Sequence, residues 1–285
     1  MQKWQVGDVT ITKIVEMETV GGAAWILPDA LPEVVRDIDW LKPDFMTEEG
    51  ELKFSVHALV IDVPGRRIVV DTCVGNEKER MPYRDWHMLQ TTFLTDFRAA
   101  GFEPESVDNV LCTHLHVDHV GWNTMLVDGE WLPTFPSARY LIARDEFKYW
   151  QQQSDVKIQQ SVFADSVAPV FEAGLMDLVD TDHQICSEVD LVPTLGHTPG
   201  HVSVRIRSKG EQAIITGDFV HHPCQMARLD WGSAADLDGA EADATRRRVF
   251  ESYADTPTLI IGTHFAGATA GTIVRDGDAY RLHVS

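Results

Sequence analysis

Cysteine is scarce in this 285-residue sequence, and no two of its four cysteines form a Cys-x-x-Cys pair. Scattered cysteines argue against a disulfide framework and against a structural zinc knot, because both need thiols at characteristic spacings. The sequence therefore predicts four reduced thiols, at Cys73, Cys112, Cys186 and Cys224.

Basic residues are also few. The chain has 24 Lys and Arg against 44 Asp and Glu, which gives a formal net charge of −20. A surface this acidic repels phosphate backbones and anionic lipid headgroups. We therefore expect neither a nucleic-acid partner nor a membrane partner.

Long apolar segments are missing as well. No stretch approaches the ~20 apolar residues that a membrane span needs. Residues 1–8 lack the apolar core of a secretory signal peptide. These two absences predict a cytoplasmic protein.

The residues that are present favour one globular domain over residues 1–285, with 44% of them hydrophobic. Strands dominate each half of the chain and helices separate them. This pattern predicts an α/β fold, a four-layer αββα sandwich of two mixed β-sheets flanked by helices. The predicted strands are 9–15, 54–63, 67–70, 107–110, 139–143, 202–207 and 212–216, and the predicted helices are 86–100, 145–152 and 241–253.

Two segments fall outside this regular pattern. Residues 23–53 contain three prolines and many large apolar side chains, so they form neither a continuous helix nor a continuous strand. They either cover the core or form an apolar wall of a substrate pocket or a homodimer contact. Residues 151–165 are largely polar, and we assign them no chemistry. The large apolar side chains of the first segment are Trp25, Ile26, Leu27, Trp40, Leu41, Phe45 and Met46.

The most informative feature is a run of metal-ligating residues at 113–119. His114, His116, Asp118 and His119 follow an apolar strand that ends near Cys112. Imidazole and carboxylate are the usual ligands of zinc and related divalent ions. On such a turn the first two histidines can point to one side and the Asp-His pair to another, which favours two neighbouring metals.

Two metals need more ligands than one turn supplies, and three further residues have suitable positions. His197, Asp218 and His264 each follow an apolar run and a small residue. Each alone is a moderate signal, because Gly-Asp is common at turns and a histidine at a strand end can simply cap a loop. Together they extend the predicted metal site.

These residues, in this order, resemble the metallo-β-lactamase superfamily, and within it the lactonase and phosphotriesterase-like branch. The resemblance runs from about Phe54 to the carboxyl terminus. It implies the metallo-β-lactamase fold and two divalent metal ions, zinc first, with manganese, iron and cobalt as alternatives. By that likeness His114, His116 and His197 hold the first metal, Asp118, His119 and His264 hold the second, and Asp218 bridges them.

Three nearby residues have predicted supporting roles. Asp71 matches a family aspartate near the metals and would fix a histidine tautomer, unless it is an ordinary turn residue. His201 would make a structural hydrogen bond. His221 would contact the substrate, although His221 and His222 could also form a polar loop without further function.

The resemblance implies a hydrolase that uses a metal-bridging hydroxide to open a lactone or similar ester. Asp118 would orient the hydroxide and carry a proton to the leaving group, and the small-molecule substrate would have an apolar arm. The alternatives are phosphotriester or aryl-ester hydrolysis and, from another class, an iron-dependent sulfur dioxygenase. Lactonases for acyl-homoserine lactones usually have Gly-Gly-Asn where this chain has Gly121-Trp122-Asn123, which counts against that particular substrate.

Overall fold

The computed structural model describes residues 1–153 and 157–284. The chain divides into two compact units. The first contains Met1–Met17 and Val56–Thr181, and the second contains Glu18–Ser55 and Asp182–Ser285. Each unit is described separately, and the single domain over residues 1–285 stays a prediction.

Strands and helices alternate along the chain much as the sequence predicts. Within the described residues, no helix combines the length and the apolarity that a bilayer crossing requires. The strands are β1 Lys3–Val6, β2 Val9–Val20, β3 Lys53–Val63, β4 Arg66–Val70, β5 Asn109–Leu111, β6 Thr124–Val127, β7 Glu130–Pro133, β8 Arg139–Ala143, β9 Met176–Val179, β10 Val189–Pro193, β11 Val202–Ser208, β12 Glu211–Ile215, β13 Leu259–Ile261, β14 Ala270–Asp276 and β15 Ala279–His283. The α-helices are α1 Pro32–Val35, α2 Phe93–Ala99, α3 Arg144–Gln151, α4 Lys157–Val162, α5 Ala168–Glu172, α6 Cys224–Ala227 and α7 Gly239–Tyr253.

The main sheet of the first unit is mixed and has the strand order β1-β2-β3-β4-β5-β8-β9. The β3–β4 pair is the predicted hairpin, and β4, β5, β8 and β9 run parallel. Parallel strands are buried on both faces, which explains the unbroken apolar runs of β4 and β5. The carboxyl ends of these two strands lie at the same edge of the sheet, and residues 71 and 113 follow there.

The predicted helix over residues 86–100 is wrong in its first half, because only Phe93–Ala99 is helical. The preceding residues belong to a loop that closes on itself. The side chain of Asn76 accepts a hydrogen bond from Thr91 N (2.7 Å) and donates one to Thr91 O (3.0 Å). Because this closure fixes the backbone up to Thr91, helix α2 begins only after it.

The second unit has a six-stranded sheet in the order β10 to β15. Its β12 and β13 are parallel, whereas their other neighbours are antiparallel. Ile215 pairs with Ile261. Asp218 and His264 each lie three residues beyond that pair, so both follow the same edge of the sheet.

Residues 23–53 pack mainly into the core of the second unit. The side chains of Leu27, Leu41, Phe45 and Met46 are at most 1% exposed, and they join one apolar cluster with Phe250 and other buried residues of this unit. These four residues therefore pack the core. Trp25 differs, because 54% of its surface is exposed.

The polar segment 151–165 has a structural role that the sequence did not indicate; its residues 154–156 lie outside the described part of the chain. Asp165, in a π-helical turn, accepts two hydrogen bonds from Arg80 (2.7 Å each) and one from Lys78 (3.4 Å). Both basic side chains are fully buried. Burial lowers the pKa of Lys78 to about 7, against the opposing attraction of Asp165.

Candidate metal-binding clusters

The first candidate cluster, here called the turn cluster, consists of His114, His116, Asp118 and His119 in the first unit. It follows β5, and Asp71 follows the parallel strand β4. The Asp71 carboxylate accepts hydrogen bonds from the backbone N–H of Thr113 (2.8 Å), from the Thr113 hydroxyl (2.9 Å) and from His119 Nδ1 (2.9 Å). One carboxylate thus holds both ends of the turn.

The hydrogen bond from His119 to Asp71 also selects a tautomer. With its proton on Nδ1, the His119 ring has its lone pair on Nε2, which lies 3.6 Å from Asp118 Oδ1. Asp71 has a positive φ of 55°, a conformation that aspartate tolerates better than most residues. The structure therefore gives Asp71 the tautomer-fixing contact that the sequence predicts.

The imidazoles of the turn cluster are close together. His114 Nε2 and His116 Nδ1 are 3.0 Å apart, and the ring centroids of His114 and His119 are 4.0 Å apart. His114 and His119 are fully buried, whereas His116 and Asp118 are partly exposed. Two nitrogens bound to one tetrahedral zinc at 2.0–2.1 Å lie about 3.3 Å apart. The 3.0 Å between His114 Nε2 and His116 Nδ1 is close to that distance, as expected for two ligands of the same ion.

Glu146 supports the backbone of this turn, and sequence reasoning missed it. Its buried carboxylate accepts hydrogen bonds from Leu115 N (3.0 Å) and from Trp150 Nε1 (2.6 Å). Glu146 lies in the first turn of α3, where an acidic residue is ordinary. No local pattern could have distinguished it.

The second candidate cluster, here called the Asp218 cluster, consists of His197, Asp218, His221 and His264 in the second unit. Three imidazole nitrogens surround one carboxylate, and all four side chains are buried. His197, Asp218 and His221 each offer a ligand atom within 4.8 Å of the others. The distances are 3.7 Å from Asp218 Oδ2 to His197 Nε2, 3.3 Å from Oδ2 to His221 Nε2, and 3.2 Å from Oδ1 to His264 Nε2.

His201 holds the backbone of this cluster. Its Nε2 accepts a hydrogen bond from Asp218 N (2.7 Å), and its Nδ1 bonds with Thr194 Oγ1 (2.8 Å). Gly217 has a φ of +59°, and a Cβ there would lie 2.6 Å from His201 Nε2, so no larger residue fits. His201 makes the structural hydrogen bonds expected of it.

Two histidines of the Asp218 cluster have their own orienting partners. His197 Nδ1 donates to Asp236 Oδ1 (2.9 Å), and His264 Nδ1 donates to Ser55 O (3.2 Å). Each bond places the proton on Nδ1 and the lone pair on Nε2, the nitrogen that faces Asp218. Sequence reasoning missed Asp236 because it lies in a polar loop 39 residues from its partner.

His221 differs from these two. It is 3% exposed, and neither of its ring nitrogens has a hydrogen-bond partner among the described residues. The centroid of its ring is 5.0 Å from that of His197 and 6.1 Å from that of His264. A buried imidazole without hydrogen bonds is costly, and a hydrogen bond to a bound substrate would remove that cost. The Nε2 lone pairs of His197 and His264, which face the buried Asp218 carboxylate, are the donors that fit a divalent metal.

His222 has a structural role. Its Nε2 donates to Phe45 O (2.9 Å), its Nδ1 accepts from Cys224 N (3.1 Å), and burial lowers its pKa to about 3. The ring is therefore neutral at physiological pH, with both nitrogens bonded. His221 and His222 both lie in the loop before α6, and both are buried.

The chain is similar to proteins of a known family. The family model of the metallo-β-lactamase superfamily matches residues 53–264. An N-acyl homoserine lactonase from a Bacillus species is 26% identical over 112 residues, which are 39% of this chain and 38% of that protein. The chain thus spans about two-fifths of the length of that curated relative.

Two solved structures share the fold over nearly their whole length. The hydrolase AbOPH, of the β-lactamase superfamily, has a TM-score of 0.81 at 24% identity, covering 98% of this chain and 95% of its own. AidC, a dizinc quorum-quenching lactonase, has a TM-score of 0.80 at 19% identity, covering 100% and 97%. These likenesses confirm the predicted fold class.

Proposed function

Because the chain belongs to the metallo-β-lactamase superfamily, we propose that it is a binuclear metal-dependent hydrolase that opens a lactone or a similar ester. The observation that carries this proposal is the Asp218 cluster. The buried imidazoles of His197 and His264 lie 3.7 and 3.2 Å from the Asp218 carboxylate, and both spacings are close to those between two ligands that share an ion. The prediction of a metal-dependent enzyme gains its support from the same family match.

The ligand set follows the family pattern. His114, His116 and His197 would hold one metal, Asp118, His119 and His264 the other, and Asp218 both. Zinc is our first choice because imidazole suits it and because the structural neighbour AidC is a dizinc lactonase. When bound, two such ions supply a hydroxide nucleophile at neutral pH and polarise the scissile oxygen.

Two side chains of this chain would act on the substrate. Asp118 is partly exposed, whereas His119 beside it is fully buried. The Asp118 carboxylate is therefore accessible, so that it can orient the attacking water and carry the proton to the leaving alkoxide. His221 would donate a hydrogen bond to the substrate from a ring nitrogen that makes no hydrogen bond with the described residues.

Trp122 no longer counts against an acyl-homoserine lactone. Its indole is 5% exposed and stacks on Phe93 with 5.5 Å between the ring centroids. The side chain thus fills the core of the first unit, where it cannot narrow a substrate pocket. Lactones of this class, with an apolar acyl arm, are the first substrates to test, as the Bacillus relative suggests.

The test is a substrate screen on protein stripped of metal and reloaded with zinc, manganese, iron or cobalt. The substrates are acyl-homoserine lactones of several chain lengths, a phosphotriester and an aryl ester. We expect zinc-dependent proton release, largest on a lactone with a long acyl chain. Dioxygen uptake with an organic persulfide by the iron-loaded protein, without hydrolysis of any of these substrates, would instead identify a sulfur dioxygenase.

A further inference from the structure

Glu16, on strand β2, has an unusual number of donors around its carboxylate. Oε2 accepts a hydrogen bond from Val74 N (2.7 Å), and Oε1 accepts from Trp122 Nε1 (2.6 Å), Gly75 N (3.2 Å) and the Thr91 hydroxyl (3.4 Å). Burial raises the pKa of Glu16, and these hydrogen bonds lower it in part. The carboxylate connects three segments of the first unit to the strand that carries it.

Trp122 depends on this carboxylate. The indole is almost fully buried against Phe93, and a buried indole N–H needs an acceptor. Glu16 is that acceptor. Trp122 stands where this chain departs from the Gly-Gly-Asn pattern, so Glu16 satisfies the donor that the departure introduces.

Residues 71–75 and 119–122 are joined backbone to backbone. Thr72 N donates to His119 O (2.8 Å), Trp122 N donates to Thr72 O (2.7 Å), and Gly121 N donates to Cys73 O (2.7 Å). A Cβ on Gly121 would lie 1.8 Å from Val74 O, so the two segments touch without room for a side chain. A shift of one segment therefore moves the other.

Residues 71–75 also contain two non-glycine residues with positive φ, Asp71 at 55° and Cys73 at 56°. Such backbone conformations persist only where the surroundings enforce them. The hydrogen bonds from Val74 N and Gly75 N to Glu16 provide that enforcement. Asp71, at the other end of the segment, holds His119.

We propose that Glu16 is a positioning residue for the turn cluster, acting through Trp122 and residues 71–75 on the Asp71–His119 hydrogen bond. This inference rests on the proposed function, because the proposed function is what gives the turn cluster a metal to bind. Glu16 contacts no member of the turn cluster in the hydrogen bonds described above. Its effect reaches His119 through the backbone.

The test compares Glu16→Gln with the parent protein. The substitution keeps the shape but replaces one acceptor oxygen with an amide donor that faces N–H groups. We expect zinc affinity, measured by competition with a chromogenic chelator, to fall about tenfold or more, as for other losses of groups that orient ligands. In the metal-free protein, the NMR signal of the His119 Nδ1 proton should broaden or shift toward that of a solvent-exchanging imidazole.

Two further variants make the result decisive. Trp122→Phe keeps the ring packing and removes the indole N–H. It should reduce zinc affinity less in the Glu16→Gln background than in the parent protein, because the acceptor of that N–H has already been altered there. Glu18→Gln, an exposed glutamate two residues along the same strand, should change neither zinc affinity nor the His119 signal.

A lower melting temperature for Glu16→Gln with unchanged zinc affinity and an unchanged His119 signal would overturn the proposal. Strictly additive effects of Glu16→Gln and Trp122→Phe on zinc affinity would overturn the part played by Trp122. If Glu16→Gln fails to fold, Trp122→Phe alone must still weaken zinc binding. Because the NMR measurement uses metal-free protein, it decides the role of Glu16 even if no tested lactone is hydrolysed.

Discussion

The turn cluster and the Asp218 cluster use the same kinds of side chain but assemble them differently. The turn cluster takes four donors from six consecutive residues, and acidic residues outside it, Asp71 and Glu146, hold its backbone. The Asp218 cluster collects its donors from separate segments around one carboxylate. Both clusters have support from outside, from Asp71 and Glu146 in the turn cluster and from His201 and Asp236 in the Asp218 cluster, but only the Asp218 cluster has a carboxylate at its centre.

The largest effect should come from removing that central carboxylate. Asp218→Ala leaves three imidazoles without the negative charge between them, so metal binding should weaken and hydrolysis should fall by about three orders of magnitude or more. Elemental analysis and kcat/KM check this. His201→Ala is the matched comparison, because it should mainly lower thermal stability; equal loss of metal from both variants would contradict the assignment.

His221 and His222 should respond in opposite ways. His221→Ala removes a buried ring whose nitrogens make no hydrogen bond among the described residues, so the metal-free protein should keep its stability while activity falls about 100-fold. His222→Ala breaks two buried hydrogen bonds and should cost about 2–4 kcal/mol of unfolding free energy. Urea unfolding of the metal-free variants, paired with activity assays, separates the two roles.

The orienting carboxylates offer a direct comparison between the clusters. Asp236→Asn and Asp71→Asn should each lower zinc affinity about tenfold, because each loses the anion that fixes a histidine tautomer. Asp71→Asn should also lower the melting temperature more, since Asp71 additionally holds Thr113. If Asp236→Asn proves the more destabilising in the metal-free state, the turn cluster does not depend on external support as described.

The smallest effect on activity is expected at Lys78, whose buried charge supports only the first unit. Its folded pKa of about 7 lies below the ordinary value of 10.5, so the unfolded state binds more protons between these values. Stability should therefore rise with pH across this window, by about 3 kcal/mol from pH 7 to 9.5. The urea concentration at the midpoint of unfolding, determined for the metal-free protein across this pH range, measures the rise.

Lys78→Met should abolish most of this rise while Arg80 still balances Asp165. Lys148→Met, at an exposed position of α3, serves as the control and should keep the rise of the parent protein. An identical pH profile for the parent and Lys78→Met would show that this lysine is not titrating in the window.

The sequence predicted those features that have a local signature. The ligands were predicted because each group of them follows an apolar strand, and the β3–β4 hairpin was predicted from its Pro64-Gly65 turn. The orienting partners Asp236 and Glu146 were missed because a single acidic residue in a loop or helix looks like any other. Their role arises only when the fold brings distant segments together.

Long-range contacts also explain the errors in regular structure. The amphipathic pattern from residue 86 was mistaken for helix because the loop closure between Asn76 and Thr91 spans 15 residues and has no local signature. In residues 23–53 the apolar composition alone could not separate core from surface. Phe45 is 1% exposed and Trp25 is 54% exposed, although both are aromatic residues of one irregular segment.

Metal stoichiometry tests the central claim most directly. After chelation, reconstitution with excess zinc and removal of unbound metal, elemental analysis should give two zinc ions per chain. Asp218→Ala, treated identically, should give one or fewer. A single zinc per chain in the fully reconstituted parent protein would contradict the binuclear hydrolase and leave one of the two proposed ligand sets without a metal.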